Sequence, residues 1–120
     1  MEIGEDATFT MEGGSITGNT AEYGGGVYVF NGGSFTMFDS ARIIGNTATG
    51  FGGGTDVGGT DVETSFTMSD SAIITGNTAK NGGGVFIAEY GEFTMNGGTI
   101  SKNKATSEGG VWVSSMVRSR

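Results

Sequence analysis

Three acids, Asp56, Asp61 and Glu63, fall within eight consecutive positions. Their oxygens could converge on a hard cation such as calcium, which needs several oxygen ligands around one point. They lie in or beside a five-residue duplication, Gly53-Gly54-Thr55-Asp56-Val57 followed by Gly58-Gly59-Thr60-Asp61-Val62. The duplication reads equally as a slippage repeat carried as a surface loop. A second group is aromatic. Tyr28, Phe86 and Trp112 occupy equivalent places after glycine clusters, and Glu2 and Asp56 share their column. Such rings stack on sugars, pack against another subunit or shield one another along a sheet. A third group is hydroxylic: Thr10, Thr36, Thr67 and Thr94, with Thr8, Ser34, Ser65 and Glu92 two positions earlier. Regular threonines suit a plain solvated strand face, or an array matched to an ice or crystal lattice.

Much other chemistry is excluded by what the chain lacks. It has no histidine and no cysteine, which removes Ser-His-Asp triads, zinc-histidine sites, thiol nucleophiles and disulfide scaffolds. A net charge of −7 argues against nucleic acid as a partner. No apolar run is long enough to span a membrane, and the acidic start Met1-Glu2-Ile3-Gly4-Glu5-Asp6 does not read as a signal peptide. The only bases are Arg42, Lys80, Lys102, Lys104, Arg118 and Arg120, and none pairs with a positioned acid. An enzyme is therefore not expected, nor a resident cofactor, with calcium at Asp56, Asp61 and Glu63 as the one candidate.

The elements that must position these residues come from a repeat. Phe-Thr-Met recurs at Phe9, Phe35, Phe66 and Phe93, spaced by 26, 31 and 27 residues. Ten or eleven residues after each Phe stands an Asn: Asn19, Asn46, Asn77 and Asn103. An Ile sits three before each Asn and an Ala two after it, and a glycine cluster with a short β-prone strand comes next. Each unit reads as three short alternating segments between Gly, Asn or Asp turns, without a helical apolar period. One unit alone cannot bury its few apolar side chains, but stacking at about 4.8 Å puts like on like. The Phe, Met, Ile and Val columns then make a narrow core, and the Asn column forms an amide ladder between coils. Proline is absent, as an unbroken intercoil ladder requires. Asp39 and Asp70, in equivalent turns, are expected to bond their own backbone as Asx turns. The chain therefore reads as all-β: a single-stranded parallel β-helix (β-solenoid) of about four coils of 26–31 residues, spanning 1–113, with 114–120 a tail or short cap.

The pairing of Gly25-Gly26-Val27, Gly83-Gly84-Val85 and Gly109-Gly110-Val111 with Ile16-Thr17-Gly18-Asn19, Ile74-Thr75-Gly76-Asn77 and Ile100-Ser101-Lys102-Asn103 is distinctive. It resembles the right-handed β-helix repeats of polymorphic outer-membrane-protein-type surface proteins. That resemblance implies a right-handed coil and an adhesin-like place at the cell surface or outside the cell. The threonine columns resemble those of insect-type β-helical antifreeze proteins, which would imply ice binding. Pectin and polysaccharide lyases also use β-helices, but their clustered acids and basic partners are missing here.

Charge runs along the stacking axis. Residues 1–70 carry ten acids and one base, net −9, whereas 71–120 carry three acids and five bases, net +2. Met1-Glu2-Ile3 and Val111-Trp112-Val113 share one phase of the repeat. Equal phase and opposite charge predict head-to-tail stacking, of copies into a filament or of neighbouring coils in a longer surface fibre. The partners expected are thus the chain itself, and for the aromatic or threonine faces a glycan or surface protein.

Overall fold

The computed structural model describes residues 1–59, 62–108, 112–114 and 117–119, with the backbone alone for Glu108 and for 112–119 where described. Four parallel sheets run along one axis, and each turn of chain visits all four. Sheet I stacks Glu2–Ile3, Val27–Phe30, Thr55–Gly58, Val85–Ile87 and Trp112–Ser114. Sheet II stacks Thr8–Met11, Ser34–Met37, Thr64–Met68, Gly91–Met95 and Val117–Ser119. Sheet III comprises Ser15–Thr17, Arg42–Ile44, Ile73–Thr75 and Thr99–Ser101. Sheet IV comprises Thr20–Tyr23, Thr47–Phe51, Thr78–Asn81 and Lys104–Glu108. The fold is a β-solenoid of about four turns, with four strands per turn where three segments were expected. The additional strand is the Thr-Ala stretch after each Asn. Val117–Ser119, within the expected tail, pairs with Phe93–Met95 and so continues sheet II.

Register puts like on like. Phe9, Phe35, Phe66 and Phe93 are successive partners in sheet II. Their rings stack at 5.3, 4.9 and 4.9 Å, close to the strand spacing. Ile16, Ile43, Ile74 and Ile100 align in sheet III. With Met37, Met68, Val27, Val29, Val57, Val85 and Ile87 they fill one core.

The corner between sheets III and IV is held by the asparagines. The Asn46 Oδ1 accepts from the Asn19 backbone N–H (3.0 Å) and Nδ2 (3.1 Å). The Asn77 Oδ1 accepts the same pair from Asn46 at 2.9 and 3.0 Å, and that of Asn103 from Asn77 at 2.9 and 2.9 Å. The Nδ2 of Asn46, Asn77 and Asn103 also donates back to the carbonyl of Ile16, Ile43 and Ile74. Gly26 and Gly54, at the next corner between sheets IV and I, pack closely against the following turn and the Asn46 and Asn77 amides. A Cβ on Gly26 would lie 2.7 Å from the Gly54 carbonyl, and one on Gly54 2.6 Å from that of Gly84.

The long second period is distributed. Phe30 pairs with Gly58 and Ser34 with Ser65, so a step of four residues (30 to 34) faces a step of seven (58 to 65). The first copy of Gly-Gly-Thr-Asp-Val therefore supplies Thr55–Val57 of strand Thr55–Gly58, and the second copy contributes the strand's last residue, Gly58. This corrects the reading of the whole duplication as a surface loop. Asp39 and Asp70 both adopt positive φ, 55° and 59°. The Asp70 carboxylate accepts from the Asp39 backbone N–H at 3.2 Å, a bond between turns rather than the expected local Asx bond. Among the described residues no helix is long and apolar enough to cross a membrane.

Candidate functional site

Alternation along sheet I turns Val27, Val29, Val57, Val85 and Ile87 inward and leaves Tyr28, Asp56 and Phe86 on the outer face. Glu2, Tyr28, Asp56 and Phe86 are register partners in four successive turns. Trp112 departs from the expected column. It pairs with Val85, and Val113 stands opposite Phe86. Ala79 pairs with Ala105 but Asn81 with Glu108, so Lys104–Glu108 holds one more residue, as Thr47–Phe51 does against Thr20–Tyr23. Three glycines follow Tyr23, Phe51 and Asn81 but only two follow Glu108, so Trp112 comes to the place of Val85. The side chain of Trp112 lies outside the described residues.

Asp56 is only 5% exposed although it sits on the outer face. Aromatic residues cover it. Tyr28 stacks on Phe30 at 4.7 Å, Phe51 on Phe86 at 4.7 Å, and Tyr23 on Phe51 at 6.0 Å. Tyr23 also meets Tyr28 at 5.7 Å, so the five rings form one connected chain. Between them lies a cleft of about 260 Å³, with Asp56 in its lining and Gly58, Gly59, Asn31 and Ala88 completing it. Gly58 follows Asp56 by two positions and pairs with Phe30, so no side chain rises beside the carboxylate there. Burial pushes the Asp56 carboxyl up from 3.8 to about 7. Burial foremost, then the charges of Asp56, Tyr23 and Glu2, raises the Tyr28 hydroxyl above its ordinary 10.0.

Tyr23, Phe30 and Phe51 were not among the expected binding residues. Tyr23 and Phe51 are partners across the bulge in sheet IV, and each directly precedes a glycine cluster. That shared place is the signal by which the sequence could have revealed them.

Other candidates lie apart from the cleft. Thr10, Thr36, Thr67 and Thr94 align on sheet II. Thr10 is exposed, whereas Thr36, Thr67 and Thr94 are half-buried. In the neighbouring column Ser34 and Ser65 bond each other at 3.1 Å. Of the three acids considered for calcium, Asp56 enters the aromatic cleft, Glu63 is exposed, and Asp61 lies outside the described residues. Among the described residues no three acids converge on one point.

Residues 1–118 match the family described as "Right handed beta helix region". No curated protein and no solved structure matches the chain.

Proposed function

Because the chain belongs to the right-handed β-helix family, we propose that it is a non-enzymatic solenoid at the cell surface or outside the cell, whose sheet I face binds a ligand in an adhesin-like manner. The observation that carries this reading is the aromatic cleft around Asp56. A concave, mostly apolar site with one placed polar group is the usual form of a ligand pocket. Rings that lack a hydrophobic core to enter are otherwise a poor choice for an outer strand face. A binding rather than catalytic role is supported by the lining: among the described residues Asp56 is its one carboxylate, and no lysine or arginine is in it. Ligand-observed NMR against a library of glycans and peptides tests the proposal. Hits are expected to lose binding in Tyr28→Ser and Phe86→Ser; hits indifferent to both, or no hits, would overturn it.

A second reading, stacking into filaments or longer fibres, is favoured by the direction of the asparagine ladder. The oxygens of Asn46, Asn77 and Asn103 each accept from the turn before, so one end of a stack offers donors and the other acceptors. A further coil, from a second copy or from the same chain, can meet either end in one orientation only. Negative-stain microscopy of concentrated protein at low salt is expected to show rods that shorten as salt screens the axial charge. Dispersed monomers under both conditions would sink it.

A further inference from the structure

Among the described side chains of its column, Asp56 alone has neither an aromatic ring nor full access to water. Glu2, below Tyr28, is exposed, whereas Asp56 lies between Tyr28 and Phe86. Among the described residues its carboxylate accepts no hydrogen bond and joins no ion pair. The asparagines of the ladder, by contrast, are well supplied with partners, as Asn46 and Asn77 show. Holding a largely buried carboxylate in its charged form without an ion pair is costly, and a counter-charge in the cleft would relieve that cost. The groups facing it narrow the choice of counter-charge. Tyr28, Phe86 and Phe51 border it directly, with Tyr23 and Phe30 beyond them. Aromatic rings attract a cation whose charge is spread over an apolar or planar surface, whereas a hard metal ion would find one carboxylate, the Asn31 amide and two phenol hydroxyls where it wants six or more oxygens. The overall charge of −7 draws cations toward the surface.

We propose that the cleft over Asp56 is a receptor site for a monovalent organic cation, an alkylammonium or guanidinium group, which pairs with the carboxylate and lies against the aromatic rings. This rests on the reading of the cleft as a binding site and names its ligand class. Two sources share that chemistry: a free small cation, and a lysine or arginine side chain presented by a partner. A guanidinium would use both features at once, since it is planar, stacks on rings and meets a carboxylate through two N–H donors. An alkylammonium would use the ring faces through its methyl or methylene shell.

Calorimetric titration of the intact chain with tetramethylammonium chloride, with N-acetyl-arginine amide and with neutral N-acetylglucosamine, each against a potassium chloride control at equal ionic strength, tests this. At least one cation should bind saturably. Asp56→Asn, which keeps the shape and removes the charge, should weaken that binding at least tenfold. Because the cation needs the ionised carboxylate, apparent affinity should rise about tenfold between pH 6 and pH 8. Tighter binding of the arginine probe assigns the site to a partner's side chain, and tighter tetramethylammonium to a small molecule; either supports the proposal. Binding of the sugar alone would overturn the cation assignment and leave the cleft as a binding site. Binding of none of the three would overturn the cation assignment, and with no library hit on the cleft the binding-site reading falls too. Cation binding that is unchanged in Asp56→Asn would also overturn it.

Discussion

Asn77 and Asp56 are both buried polar residues in neighbouring parts of the coil, and the solenoid treats them oppositely. Asn77 is fully buried, with its oxygen shared by Asn46 below and its amide given to Asn103 above. Asp56 is nearly as buried, yet its partners above and below are Phe86 and Tyr28, and no hydrogen bond joins it to either. A repeat protein satisfies a buried polar group by repeating it, because the neighbouring turn then supplies the complementary atom at the strand spacing. Where the repeat is broken, the same position becomes an unmet demand. The asparagine corner therefore reads as structure, and the Asp56 cleft as a place held ready for something else.

The largest expected effect tests the repeated side of this contrast. Phe66 is buried between Phe35 and Phe93, so Phe66→Ala removes the middle of an unbroken stack. It should cost about 3–5 kcal/mol in urea unfolding. A loss near zero would mean the stack contributes no packing.

The broken side is tested by pH. A carboxyl raised from 3.8 to about 7 in the folded state keeps a proton that the unfolded chain releases between those values. Stability should therefore fall as pH rises from about 4 to about 7 and be level above, by on the order of 4 kcal/mol. Asp56→Asn should abolish this dependence and be more stable than the parent at pH 8. Denaturant midpoints at pH 5 and pH 8 measure both. A parent whose midpoint does not change between them would show that Asp56 is no different from a solvated acid.

Asn77→Leu addresses the same contrast from the opposite direction, by making the satisfied corner resemble the unsatisfied cleft. It strands the Asn46 backbone N–H and removes one of three acceptors from the Asn46 Nδ2, and should cost about 1–3 kcal/mol. Thr55 gives a smaller test within the broken turn. It pairs with Val27 and Val85, and its hydroxyl is buried without a partner. Thr55→Val should gain about 1 kcal/mol, read as a higher denaturant midpoint; a loss would mean the hydroxyl is satisfied.

These same residues explain what the sequence revealed and what it hid. The Phe and Asn columns were legible because identical residues recur at nearly equal spacing, and only stacking makes sense of them. The cleft was partly legible: Tyr28, Asp56 and Phe86 were placed in one outward column, but the covering by Tyr23, Phe30 and Phe51 was not. Those rings do not recur in all turns, and Tyr23 and Phe51 reach Asp56 from another sheet across a corner. The position of Trp112 was hidden because Gly109-Gly110-Val111 matches Gly83-Gly84-Val85 in residue type. The mark of the shift is the third glycine, present before Val27, Thr55 and Val85 and missing there, together with the longer Lys104–Glu108. The fourth strand per turn was hidden because Thr20–Tyr23 is short and exposed, with no inward apolar pattern beyond Ala21.

The smallest expected effect lies at the turn before the asparagines, where repetition itself lapses. Gly18, Gly45 and Gly76 occupy it with φ of 70°, 70° and 69°, and Lys102 takes the same place at 58°. A side chain in this left-handed region costs about 1–2 kcal/mol, while a glycine gives back about 0.5–1 kcal/mol through the freer unfolded chain. Lys102→Gly should therefore gain about 0.5–1 kcal/mol in thermal or urea unfolding, and Gly76→Lys should lose about as much or more. An unchanged Lys102→Gly midpoint would mean that the last turn unfolds before the others. Amide exchange at Asn103, whose oxygen closes the ladder from Asn77, would then be faster than at Asn46. Either result locates where along the axis the regularity that satisfies Asn77 ceases to hold.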